Sequence, residues 1–96
     1  MIEEQLYQAL LTLKTPQEVK KFFKDLCTPK EIKDMSERFN IAKVLNSTNL
    51  SYQQIHAQTG VSIATIGRVA RFLNQEPHQG YKIALERLAN AKNDNN

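Results

Sequence analysis

Between Ser51 and Gln75 the chain carries Arg68 and Arg71 and neither Asp nor Glu. A stretch with cations, hydroxyls and amides but no carboxylate suits a polyanionic partner. Ser62, Ile63, Ala64, Thr65 and Gly67 lie within it and are all short or compact. Side chains of that size let a backbone approach base edges. Ile63 and Ala64 can touch thymine methyl groups, and Ser or Thr can bond to base edges. Tyr52, Gln53 and His56 precede them and suit phosphate contacts, with Arg68 and Arg71 adding charge. This is the chemistry of binding rather than of catalysis. The chain offers no Ser/His/Asp set, no paired-carboxylate site and no Gly-rich phosphate loop, so no enzyme and no catalytic residue are expected. His56 and His78 stand far apart, and Cys27 is the only cysteine, so no metal site is expected either.

The elements that position these residues are two short helices. Ser51 followed by Gln54 is a capping pair that starts the first, and Gly60 suits the left-handed residue that ends it. Ser62 caps the second, which runs from Ile63 to about Leu73 and is broken by Asn74-Gln75-Glu76-Pro77. Ile55, Val61, Ile66 and Val69 can face inward and set the angle between the helices. Two helices meeting at a tight Gly-containing turn form the helix-turn-helix layout, whose second helix enters the major groove. The same layout occurs in bundles that bind no DNA. A helical module docking another protein therefore stays open as the alternative.

Four more helices complete an all-α reading with no β pattern. The first spans about Ile2 to Leu13, with Leu6, Ala9, Leu10 and Leu13 on one face. The second and third share a start: Thr15-Pro16-Gln17-Glu18 and Thr28-Pro29-Lys30-Glu31 both read T-P-x-E. Thr caps, Pro occupies the first helical position, and Glu can bond back to the cap N–H. The second helix runs from Pro16 to Leu26 with Val19, Phe22, Phe23 and Leu26 as its apolar face. The third runs from Pro29 to about Leu45. Its wide stripe is Ile32, Met35, Phe39, Ala42 and Leu45, flanked by Ile41 and Val44. The last spans about Gln79 to Asn90, ahead of a polar, frayed tail from Ala91 to Asn96.

The 96 residues suit a single domain. Within it, 1–46 are the core and dimerisation helices, 51–73 the helix-turn-helix and 77–90 a C-terminal core helix. So small a domain gains from a partner subunit. A net charge of +3 is mildly basic. One free thiol makes the cytoplasm the natural compartment. The start MIEEQLYQALL lacks the marks of a signal peptide, and no stretch is long and apolar enough for a membrane span.

Gly60-Val61-Ser62-Ile63-Ala64-Thr65-Ile66-Gly67-Arg68 resembles the G-x-x-I-A-T-I-x-R recognition-helix signature of the tryptophan repressor superfamily. Leu26-Cys27-Thr28-Pro29-Lys30-Glu31 resembles the start of that family's third helix, and Ser36-Glu37-Arg38 its middle. The resemblance covers roughly Phe22 to Leu88. Phe22-Phe23-x-Asp25-Leu26-Cys27-Thr28 fits best the branch termed YerC/YecD-like. It implies a six-helix, intertwined homodimer that binds double-stranded DNA as a bacterial transcription repressor. Two protruding heads would read half-sites one helical turn apart on a palindromic operator.

Gln53, Ile63, Ala64 and Gly67 match family positions that face DNA. Gln53 stands where the repressor has a base-contacting arginine, and Gly67 where it has Thr, which argues against the tryptophan operator. Arg38 and Arg68 match the arginines that hold the corepressor, and Thr28 a residue of the same pocket. Val69 and Phe72 replace Gly and Ser there, and their bulk is expected to fill the indole slot from within. No cofactor is therefore expected, with tryptophan or another small corepressor disfavoured. Without a ligand, Arg38 can pair with Glu37 or Asp34, and Arg68 can bind phosphate.

Overall fold

A computed structural model describes residues 1–94, and every element among them is helical: α1 (Ile2–Leu11), α2 (Pro16–Leu26), α3 (Pro29–Ser47), α4 (Tyr52–Thr59), α5 (Ile63–Asn74) and α6 (Gly80–Asp94). The chain divides into two compact units, Met1–Asp34 and Met35–Asn96.

The first unit is built by caps rather than by burial. α1 stops two residues short of the expected Leu13, because the Thr12 hydroxyl donates to the Ala9 carbonyl at 2.7 Å and tightens the last turn. At α2 the Thr15 hydroxyl accepts the Glu18 N–H at 3.1 Å. The Glu18 carboxylate departs from expectation: it accepts the N–H of Lys14, one residue before the cap, at 2.8 Å. At α3 the box closes as the sequence implies. Thr28 Oγ1 accepts from Glu31 N at 3.1 Å, and Glu31 Oε1 accepts from Thr28 N at 2.8 Å. No side chain of residues 1–34 is buried. Met1, Ile2, Tyr7, Leu11 and Leu26 are exposed, and Val19, Phe22 and Phe23 only partly covered.

The second unit holds the core. Ile41, Ala42, Ile55, Val61, Ile66 and Val69 form one buried cluster, extended by Val44, Leu45, Leu50, Tyr81 and Leu85 at its rim. The third helix thus presents a different edge from the one expected. Ile41, read as flanking, is fully buried beside Ala42, whereas Met35 is exposed. α6 also continues past Asn90 to Asp94, since Ala91 and Lys92 are good helix formers with no breaker behind them. Asn95 and Asn96 of the expected tail lie outside the described residues.

The turn between α4 and α5 satisfies its own backbone. Gly60 adopts φ +76° and its N–H bonds the His56 carbonyl at 2.8 Å. Thr59 Oγ1 donates to Ile55 O at 2.7 Å and accepts from Val61 N at 3.1 Å. A Cβ on Gly60 would meet nothing within 4 Å, so only the backbone conformation resists substitution. Gly60→Ala is therefore expected to lower unfolding free energy by about 1 kcal/mol in urea titration.

Candidate nucleic-acid interface

Two capped helices set this surface. Ser51 Oγ accepts from Gln54 N at 3.1 Å and Gln54 Oε1 accepts from Ser51 N at 2.8 Å, a complete capping box for α4. Ser62 Oγ accepts from Thr65 N at 3.1 Å and opens α5. The fully buried Ile55 and Ile66 join the two helices through the core. With those caps and anchors fixed, the outward face follows from the helical period.

The residues read from the sequence are mostly open to solvent. Tyr52, Gln53 and His56 on α4 are exposed, as are Ser62, Ile63, Ala64, Arg68 and Arg71, with Thr65 and Gly67 partly covered. Between Glu37 and Glu76 the chain has Arg38, Lys43, Arg68 and Arg71 and no acidic residue at all. The face can therefore accept phosphate without like-charge repulsion.

Some of the hydroxyl capacity is already used. The Ser62 hydroxyl donates to Thr65 Oγ1 at 3.0 Å. The proton of the Thr65 hydroxyl is the donor that remains for an incoming base or phosphate. His56 does more than sit on the surface. Its Nδ1 lies 2.8 Å from the Val61 carbonyl, which can only accept, so Nδ1 carries the proton and ties α4 to the turn. Nε2 is left as the open ring nitrogen. Residue types alone do not announce this bond, because only the Gly60 turn brings residues 56 and 61 together.

Gly67 lies close to the Tyr52 ring. A Cβ built there would meet Tyr52 Cε2 at 4.0 Å, an ordinary contact. Packing therefore does not require glycine at this helical position. Gly67→Ala is expected to stabilise the fold by roughly 0.5–1 kcal/mol through helix propensity. If the glycine serves close approach to DNA, the same change weakens binding, and parallel thermal-melt and DNA-affinity measurements separate the two effects.

Arg38 and Arg68 line one pocket of about 350 Å³, together with Val69, Phe72, His78, Gly80 and Tyr81. Val69 and Phe72, the two bulky residues of this region, are both part of its lining. Val69 is at the same time a core residue at 1% exposure, and Phe72 is half-buried. The Arg68 guanidinium carbon stands 4.5 Å from the Phe72 ring centroid and that of Arg71 stands 5.0 Å from it. His78 stacks on the same ring, with centroids 5.9 Å apart and planes 15° from parallel. Thr28 caps α3. Asp34, one suggested partner for Arg38, accepts from Lys30 Nζ at 2.9 Å. Among the described residues no group of His, Cys, Asp and Glu is arranged to hold a metal ion.

The model of the family described as Trp repressor protein matches residues 3–89. The chain belongs to the Trp repressor family. YerC, an uncharacterized protein of Bacillus subtilis (strain 168), is 41% identical over 85 residues, covering 88% of this chain and 80% of YerC. That likeness agrees with the branch to which the Phe22-Phe23-x-Asp25-Leu26-Cys27-Thr28 and Ser36-Glu37-Arg38 segments pointed.

Solved structures of the family carry the same fold. The crystal structure of a TrpR-like protein from Eubacterium eligens ATCC 27750 matches with a TM-score of 0.82 at 46% identity, over 90% of this chain and 87% of that one. A Staphylococcus aureus protein whose crystal structure was assigned to a Trp repressor matches with a TM-score of 0.82 at 36% identity, over 92% and 86% of the two chains. In family and fold the chain is a Trp-repressor-like regulator. No helix among the described residues is long and apolar enough to cross a membrane.

Proposed function

We propose that the protein is a sequence-specific, DNA-binding transcription repressor that acts as a homodimer on a palindromic operator. The observation that carries this reading is the exposed face of α4 and α5. It is small-residued, free of acid and flanked by Arg68 and Arg71. α5 enters the major groove, where Ile63, Ala64 and Thr65 meet base edges and Gly67 lets the backbone close in. Tyr52, Gln53, His56, Arg68 and Arg71 bind the flanking phosphates. Repression follows from occlusion where the operator overlaps a promoter.

The dimer reading rests on the first unit, where no side chain of residues 1–34 is buried. The face Val19, Phe22, Phe23 and Leu26 has apolar surface that a second copy can cover. In this reading residues 1–46 carry dimerisation and the C-terminal helix supports the core. DNA as the target places the protein at work in the cytoplasm. A second reading, an amino-acid-responsive repressor, is favoured by the pocket that Arg38 and Arg68 share, since paired guanidiniums suit a carboxylate.

Selection from random duplex DNA with the purified protein tests both readings when repeated across salt and with free tryptophan. A short enriched palindrome is expected. Its affinity should fall by about a thousandfold between 50 and 200 mM salt if six or more phosphates are contacted. Tighter binding with tryptophan would support the effector reading. No enrichment over random DNA at low salt would sink the DNA reading and leave a protein-docking module in its place.

A further inference from the structure

We infer that Phe72 is the residue that positions Arg68 and Arg71 for phosphate, so that the reading head is set by the chain's own aromatic ring. The inference rests on the DNA-binding reading and adds to it a residue that no DNA-facing assignment includes. Arg68, Arg71 and Phe72 occupy positions i, i+3 and i+4 of α5, the spacing that places side chains on one helix face. Both guanidinium carbons lie over the ring, at 4.5 and 5.0 Å from its centroid. Two like charges this close to one ring repel each other, and their attraction to the ring's π faces offsets that repulsion.

The ring itself is held. Phe72 is half-buried, and His78 stacks on it from the turn before α6. Gln79, the next residue, has φ +63°, a conformation that non-glycine residues rarely adopt, and its carbonyl accepts the Ile83 N–H at 3.0 Å. The turn that carries His78 is thus pinned to the first turn of α6.

A free arginine side chain on an exposed helix samples many rotamers and loses them on binding. An arginine laid on a ring has lost much of that freedom before DNA arrives, so less is lost per contact formed. Phe72 touches neither base nor phosphate in this account and acts only through the two arginines.

The test pairs side-chain NMR with DNA affinity on Phe72→Leu, Phe72→Tyr, Phe72→Met and the wild type, using the operator recovered by selection. In the wild type the Arg68 and Arg71 side-chain proton signals should show upfield ring-current shifts. Phe72→Leu should abolish those shifts and weaken DNA binding by about fivefold. Its salt slope should stay the same, because the phosphates contacted are unchanged. Phe72→Tyr keeps the ring and should restore both readouts, whereas Phe72→Met, which keeps most of the volume without a ring, should restore neither.

Phe72→Leu binding as tightly as the wild type, or tighter, would overturn the inference while leaving the DNA reading intact. Absent ring-current shifts in the wild type would overturn it as well. A wild-type protein that selects no DNA at all would overturn the DNA reading and the positioning role with it.

Discussion

Ala64→Glu is expected to abolish specific DNA binding, with affinity down by about a hundredfold or more and the melting temperature almost unchanged. Ala64 is exposed in the first turn of α5, opposite the buried Ile66 and Val69, so a longer side chain meets no core atom. Glu in a first helical turn is favoured by the helix dipole, which makes the substitution neutral or slightly stabilising for the fold. Against DNA it places a carboxylate where no acid exists between Glu37 and Glu76. There it faces either a base edge or the phosphate backbone. Loss of close approach and like-charge repulsion together cost about 3 kcal/mol, which is about a hundredfold. Fluorescence anisotropy on the selected operator, beside a thermal melt of the same sample, reads both quantities. Unchanged affinity would remove α5 as the reading helix. A protein that melted early would mean that Ala64 belongs to the core.

The helix-turn-helix was legible because its boundaries are written in local chemistry. Ser51 with Gln54, Gly60 and Ser62 each act within a few residues of themselves, and the bonds form as their types require. The inward residues Ile55, Val61, Ile66 and Val69 followed from the period once those ends were known. The third helix was harder. Its stripe is so wide that periodicity cannot say which edge faces the core, and only α4 and α5 decide for Ile41 over Met35. Arg38 and Arg68, which line one pocket, were paired in the sequence through the family resemblance rather than through spacing. His78 and Tyr81 were missed as pocket residues because the turn between α5 and α6 brings them there, and no turn rule specifies where the side chain directly after Pro77 will point. The Arg68–Phe72 contact was within reach, since the i, i+4 spacing is in the sequence.

The unburied first unit sets up the other large effect. Phe22→Glu is expected to split the proposed dimer, raising its dissociation constant by at least about a thousandfold. Val19, Phe22, Phe23 and Leu26 recur at i, i+3, i+4 and i+7 along α2, and none of them is buried. A capped, strongly amphipathic helix with its apolar face uncovered is stable only when something covers that face. Fully burying a Phe contributes roughly 1.5–3 kcal/mol, and a two-fold interface counts each substitution twice. Putting a carboxylate in its place adds a desolvation cost, so about 4 kcal/mol is a lower figure. Glu keeps the helix propensity of α2, which isolates the effect on the face itself. Sedimentation at micromolar concentration should show a dimer for the wild type and a monomer for the variant. The urea midpoint should depend on protein concentration for the wild type alone. The variant should also lose affinity for a full palindrome more than for a half-site, because one head can still read when its partner is gone. A wild-type monomer, or a variant that sediments as a dimer, would mean that α2 is covered by something other than a second copy of this chain.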